Sequence, residues 1–408
     1  MNIPNIAGYG YLCGIRLSTS VTLWVDFVLI FTVLTFGFDA SAETLGLAAA
    51  LYGLPPLLLG PLFGALADRT SPFKFICWSF LTRCFVACLL FSATSQTVFL
   101  VFVFMKGLAN LGSGSAEIIL TRKLLSNEDL VKNISLVTIM DQFIKVCSPL
   151  AAGIIASVAD KSSGFLVSAV FSLIGTICVI VLSITHSTSS VTQNPEMRSF
   201  GSLEAFKSFF KHGPITRLFF ICTMVQSAVL GCYDSLLSLF LKNFGLESYA
   251  FGAVVSATAV GGILSGLIFP KIYPARLSLC STLSLSLFGV AVILAGLLPT
   301  IPHLANIVVF MSLFLVAGIA YGLTALGFGI TLQKYCPVSH LGVLSATARS
   351  LSLALMITTP ILGAWLSRLI TIGGVFCFAG VFAVIVGAWL YFEHRDQYHS
   401  EKIRMQSE

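Results

Sequence analysis

Charge is what this chain has least of: 10% of its 408 residues are Asp, Glu, Lys or Arg, against 57% hydrophobic. A soluble domain carries about 25% charged residues, so a water-facing surface is excluded for most of the length. Histidine is scarce as well, and its six copies fall in loops and the tail. A proton-carrying group within the apolar runs therefore has to be a carboxylate. The eleven Cys are scattered without paired metal-ligand spacing, which excludes a sequence-readable metal site and leaves small buried packing residues. A glycine-rich phosphate loop and a nucleophile constellation are missing too, so no catalytic residues, no enzyme activity and no cofactor are expected. Alternation of apolar and polar residues at strand period is absent, which excludes a barrel.

What remains is long apolar runs. Twelve segments are each near the roughly 20 residues that cross about 30 Å of hydrocarbon as a helix: 17–38, 45–67, 75–94, 98–120, 134–157, 164–185, 216–241, 249–269, 277–298, 304–331, 341–366 and 371–392. The fold class is all-α integral membrane protein. The first run is preceded by Arg16 and followed by Ala40-Ser41-Ala42, as in a signal peptide, but it is longer than a signal core and carries Asp26. The longest polar interval follows the sixth run, which divides the chain into a first bundle (1–185), a linker (186–215), a second bundle (216–392) and a tail (393–408). Lys and Arg outside the runs cluster on one side, with Lys161, Lys242 and Arg368 on the other. The positive-inside rule then makes both termini and the linker cytoplasmic and the location the plasma (inner) membrane. That bias accounts for the net charge of +6 and gives no reason to invoke nucleic acid.

The second half repeats the first. A shift of 211 positions lays 123–130 on 334–341, Gly107 on Gly318, and Ser148-Pro149-Leu150-Ala151-Ala152-Gly153 on Thr359-Pro360-Ile361-Leu362-Gly363-Ala364. Parallel six-helix repeats are an architecture in which a substrate path runs between two bundles.

Between the second and third runs stands Gly64-x-x-x-Asp68-Arg69, with Lys74 further on. Gly64 permits close helix approach, Asp68 suits the positive end of a facing helix, and Arg69 seeks an acid. This stretch, with the twelve runs, two halves and connector, resembles the signature loop of the major facilitator superfamily. The resemblance implies a cytoplasmic latch made of Gly64, Asp68, Arg69, Lys74 and Glu117, the last expected to reach Arg69 or Arg122. Ser148 to Gly153 is similar to the Gly-Pro-x-x-Gly-Gly element of antiporters in that superfamily, which implies a gate in the fifth helix at Pro149 and Gly153. The run 106–130 looks like the drug and siderophore exporter branch that includes macrolide pumps and the enterobactin exporter; Lys106 stands where many relatives have Arg.

Ionisable residues at membrane depth are costly, roughly 2.5–3.5 kcal/mol each on insertion scales, so each invites a role. They are Asp26, Arg83, Lys106, Glu117, Asp141, Lys145, Asp234 and Arg349. Asp26 has no basic residue within four positions and ranks first for proton coupling, with Asp141 second. Asp141 and Lys145, one turn apart, are expected to pair on one helix face. Lys106, Lys145, Arg349 and Arg83 are the candidate binders of an anionic substrate. The expectation is a secondary active transporter whose partners are a small-molecule substrate, protons and membrane lipid. Proton-coupled antiport exporting a small amphipathic or anionic molecule leads; an importer of a siderophore, metabolite or lipid-like solute follows, and a non-transporting scaffold or sensor has no need of the buried charges.

Overall fold

The computed structural model describes residues 8–111, 113–125, 127–186, 214–272, 277–301, 306–335 and 338–393. The side chains of Gly64, Asp68, Arg69, Arg122 and Arg349, most of the linker and nearly all of the tail lie outside the described residues. The described chain is helical: α1 (Tyr9–Thr32), α2 (Ala42–Arg69), α3 (Pro72–Ser92), α4 (Gln96–Ala109), α5 (Ser113–Leu124), α6 (Asn127–Val158), α7 (Gly164–Thr185), α8 (Pro214–Asp234), α9 (Leu237–Asn243), α10 (Ser248–Ile272), α11 (Leu277–Leu297), α12 (Ile307–Tyr335), α13 (Val338–Leu369) and α14 (Ile372–Glu393).

Local chemistry sets several boundaries. Ser41 caps α2 by accepting from the Thr44 N–H, with Glu43 in the first turn, and Ser95 caps α4 through Val98 N–H. Pro72 occupies the first position of α3, where its missing N–H costs nothing. Pro149 and Pro360 both sit inside helices of 32 residues, α6 and α13, which is the repeat relation seen in the sequence.

Two expected spans are interrupted. The run 98–120 is two helices, α4 and α5, because Asn110, Ser113 and Gly114 are weak helix formers and Ser113 Oγ turns back to the Asn110 carbonyl at 3.4 Å. The run 216–241 is broken between Asp234 and Leu237, where α8 and α9 meet at 46°. Among the described residues, ten helices are long and apolar enough to cross a membrane, or eleven if the bent pair is one span; α4, with 14 residues, is shorter. The twelve runs of the sequence are thus present as helices, with the fourth and seventh divided.

The chain forms two compact units, one holding the helices up to Thr185 together with Glu247–Ala253, the other holding the remainder. In the first, α1 packs on α6 and α7, α3 on α7, α4 and α5, and α2 on α4. In the second, α8 packs on α12, α13 and α14, and α11 on α12 and α14.

The α11–α14 crossing shows why glycine is needed. A Cβ at Gly289 would lie 2.6 Å from the Gly380 carbonyl oxygen, and one at Gly296 would lie 2.6 Å from that of Gly373. The relation is reciprocal: a Cβ at Gly380 meets the Gly289 carbonyl at 2.5 Å and one at Gly373 meets that of Gly296 at 2.6 Å. Glycines seven residues apart on each helix therefore bring two antiparallel backbones into contact, as small residues do in membranes. Gly380→Leu should cost about 1–3 kcal/mol of overpacking and lower the thermal midpoint of the detergent-solubilised protein. Gly266→Leu, in open space, should leave it nearly unchanged; equal midpoints for the two variants would remove the crossing as a stability determinant.

Candidate functional site

Lys106 is fully buried on α4, and Asp26 is 1% exposed on α1. The Lys106 Nζ lies 2.9 Å from Asp26 Oδ2. Its hydrogen bonds run to the Arg83 carbonyl on α3 at 3.2 Å and to Ser168 Oγ on α7 at 3.4 Å. One ammonium group thus ties α1, α3, α4 and α7 together. Asp26 Oδ1 has no hydrogen-bond partner, so the carboxylate has spare accepting capacity. The contact with Lys106 is an ion pair by distance that lacks hydrogen-bond geometry at Oδ2. The neighbouring Gly107 lets α4 press on α2: a Cβ there would stand 2.5 Å from the Tyr52 carbonyl. Asn110 Nδ2 donates to the Tyr52 hydroxyl at 3.0 Å one turn on.

Arg83 is 3% exposed and donates from Nη2 to Ser113 Oγ at 2.5 Å. Its guanidinium lies 5.6 Å from the Phe80 ring centre, and its Nε has no partner. One turn beyond Ser113 on α5 is Glu117, within electrostatic reach of Arg83. Glu117 accepts from Thr19 Oγ1 at 2.5 Å and from Arg16 Nη1 at 3.4 Å. Arg16 grips Asp141 on α6 with two bonds, Nε to Oδ1 at 3.1 Å and Nη2 to Oδ2 at 2.5 Å, and Ser20 adds a third at 2.6 Å. A ladder of charged groups therefore runs Asp26, Lys106, Arg83, Glu117, Arg16, Asp141 through the first unit, with Lys106 and Arg83 as neighbouring cations.

Lys145 stands apart from this ladder. Asp141 is occupied by Arg16, and the pairing of Asp141 with Lys145 that their spacing suggested does not form, because a bidentate guanidinium holds a carboxylate in a geometry that an ammonium cannot match. Lys145 instead lies 5.2 Å from the Trp24 ring centre, a cation–π contact. Among the described residues it has no acidic partner. Four cations, Arg16, Arg83, Lys106 and Lys145, face three carboxylates, Asp26, Glu117 and Asp141, in this region.

The other sequence candidates fall as follows. Asp26 is not the unpartnered carboxylate that its own helix implied, since Lys106 reaches it from α4. Glu117 is held by Arg16 and Thr19, while the side chains of Gly64, Asp68, Arg69 and Arg122 lie outside the described residues. Lys74 is exposed in the first turn of α3. Pro149 and Gly153 meet the segment Glu247–Ala253: a Cβ at Gly153 would stand 3.3 Å from Gly252 Cα, and the Pro149 carbonyl closes on Gly252. The side chain of Arg349 lies outside the described residues. Arg16 escaped the sequence reading as a site residue, having been placed as an anchor beside the first run. Its signal was available in the position, because a helix continued back to Tyr9 puts Arg16 and Asp26 ten residues, roughly 15 Å, apart along one rod. Ser113 and Ser168 carried no signal at all.

The sequence matches the profile of the Major Facilitator Superfamily over residues 13–356. The chain belongs to the Major Facilitator Superfamily. It is 27% identical over 267 residues to the staphyloferrin A transporter of Staphylococcus aureus (strain NCTC 8325 / PS 47), a match that covers 62% of this chain and 65% of that relative, under two thirds of its length. It is 22% identical over 371 residues to the uncharacterised MFS-type transporter YfiS of Bacillus subtilis (strain 168), covering 89% of this chain and 88% of that one. Among solved structures, the fold is similar to the nucleoside transporter NupG, with TM-score 0.74 at 14% identity, covering 93% of this chain and 98% of that one. It is also similar to a bacterial homologue of the iron transporter ferroportin in its inward-facing state, with TM-score 0.72 at 18% identity, covering 94% and 98%. The chain is a multi-pass membrane transporter of this superfamily.

Within the superfamily fold, the Asp26–Lys106 pair is the structural keystone of the first unit. Lys106→Gln strands an uncompensated carboxylate in an apolar interior, which costs about 3–5 kcal/mol. The double variant Lys106→Gln with Asp26→Asn removes both charges and should recover most of that loss. Thermal unfolding in detergent measures the cycle; a double variant as unstable as the single one would show that the pair does not set stability.

Proposed function

We propose that the protein is a proton-coupled secondary transporter of a small anionic solute of the siderophore kind. The observation that carries this reading is the sealed Asp26–Lys106 ion pair with a second buried cation, Arg83, beside it. An ionised Asp26 satisfies Lys106 internally. A proton on Asp26 frees the ammonium charge for another anion, and by reciprocity an anion bound there favours the protonated carboxylate. Lys145, half-buried over Trp24 and without an acidic partner among the described residues, is the cation that an entering anion meets first. Similarity to a staphyloferrin A transporter supports the substrate class.

This linkage bears on direction. Proton and anion that favour each other's binding travel together, so an inward proton gradient drives uptake; antiport needs the two to compete. Export by antiport is the second reading, favoured by the close packing of Pro149 and Gly153 on α6 against Gly252. The plasma membrane, with both termini cytoplasmic, is the location that either reading requires.

Proteoliposomes with an imposed pH gradient decide between them. A carboxylate-bearing ferric siderophore should accumulate on the side the protons enter, and accumulation against that direction supports antiport. Asp26→Asn should abolish gradient-driven accumulation of that siderophore while sparing exchange at equal pH. Lys145→Gln should raise the half-saturating concentration of the siderophore about tenfold or more, the loss of a charged hydrogen bond, and leave a neutral analogue unaffected. Full accumulation in Asp26→Asn removes proton coupling through this pair, and equal losses for charged and neutral solutes remove Lys145 as an anion contact.

A further inference from the structure

Among the described residues, the second unit holds an acid that is outside the ladder above and makes no ion pair. Asp234 is the last residue of α8, partly buried at the 46° break before α9. The span that it interrupts runs from Arg217 to Asn243, so Asp234 lies nine positions from its far end and not at a surface loop. The adjoining Ser235 is 2% exposed and its Oγ has no partner. A break in a helix also loosens its backbone bonding, and here the Leu236 N–H closes on the Tyr233 carbonyl at 2.9 Å, a tighter turn than the helix before it.

No ion pair or hydrogen bond reaches the Asp234 carboxylate among the described residues. The elements packed around α8 are α11, α12, α13 and α14. From these and from α8 itself, the titratable groups within electrostatic reach are the hydroxyls of Tyr321 on α12 and of Tyr233. Glu393 of α14 is engaged with Arg217 at the opposite end of α8. Tyr233 is embedded in rings, 4.8 Å from Phe376 and 6.0 Å from Phe314. An acid inside an apolar helix bundle, with hydroxyls but no cation in reach among the described residues, has one ready way to lose its charge, which is to bind a proton. One carboxylate and neighbouring hydroxyls fall well short of the six to eight oxygens that a hard divalent cation takes.

We propose that Asp234 is a second proton-binding site, in the C-terminal unit, loaded independently of the Asp26–Lys106 pair. The inference rests on the proton-coupled reading above and deepens it: each unit carries one proton-binding carboxylate. Asp26 is answered by an internal lysine at 2.9 Å, whereas Asp234 has only hydroxyls in reach among the described residues.

The experiment reads proton binding itself, without substrate. Infrared difference spectra of the full-length protein in lipid nanodiscs, taken between acidic and alkaline buffer, follow the carbonyl stretch of protonated carboxylic acids. Asp234→Asn should remove one titrating component of that band; Asp26→Asn should keep it. Asp234→Glu, which keeps the acid, should shift the component in frequency, and it serves where the Asn variant fails to fold. A band in Asp234→Asn or in Asp234→Glu that superimposes on the wild-type band overturns the proposal. So does a wild-type component that disappears when choline is replaced by sodium at constant pH, which assigns the site to a metal cation. Loss of gradient-driven siderophore accumulation in liposomes, with the Asp234 component intact, would refute the transport reading and leave this proton site standing.

Discussion

A buried ammonium cannot be left alone. In a medium of low dielectric the cost of an unpaired Lys106 is several kcal/mol, and the first unit is arranged so that the carboxylate of Asp26, the carbonyl of Arg83 and the hydroxyl of Ser168 converge on it from three other helices. Those contacts fix the rotation of α1, α3, α4 and α7 about their axes more tightly than apolar packing does, since a lipid-like interior gives helices little preference for one rotation over another. Gly107 completes the arrangement by letting α4 approach α2.

From that point the remaining polar groups follow by charge balance. Arg83 donates to Ser113 at the start of α5 and lies within reach of Glu117; Glu117 in turn accepts from Arg16, which grips Asp141. The surplus cation is Lys145, resting on Trp24. The two units differ in how they are held. The first relies on this ladder, whereas the second relies on reciprocal glycine crossings between α11 and α14 and on stacked rings such as Phe240 on Phe376 at 4.5 Å. Among the described residues, the repeated halves thus differ in interior chemistry: linked charges in the first, glycine crossings and stacked rings in the second.

Hydropathy and spacing made the fold readable from the chain alone. Membrane-spanning segments must satisfy their backbone bonds internally, so twelve long apolar runs dictate helices, and the alignment of Pro149 with Pro360 reveals the repeat without any coordinates. The breaks inside the fourth and seventh runs were less legible, because Asn110 and Asp234 are single polar residues within runs whose mean hydropathy still reads as continuous. Asp26, Arg83, Lys106, Glu117, Asp141 and Lys145 were picked out by the cost of charge at depth, a property of each residue on its own.

Partnership was a different matter. Which acid meets which base depends on helix rotation and depth across α1, α4, α5 and α6, separations of 80 to 125 positions along the chain that no local pattern encodes. So the local rule joined Asp141 to Lys145 at one turn's distance, and the folded bundle gave Asp141 to Arg16 instead, with a bidentate geometry only a guanidinium offers. Composition alone determined that this is a helical membrane protein with charges too costly to be idle; the three-dimensional packing alone decided that Asp26 is answered by Lys106, because ion pairs form by proximity in space.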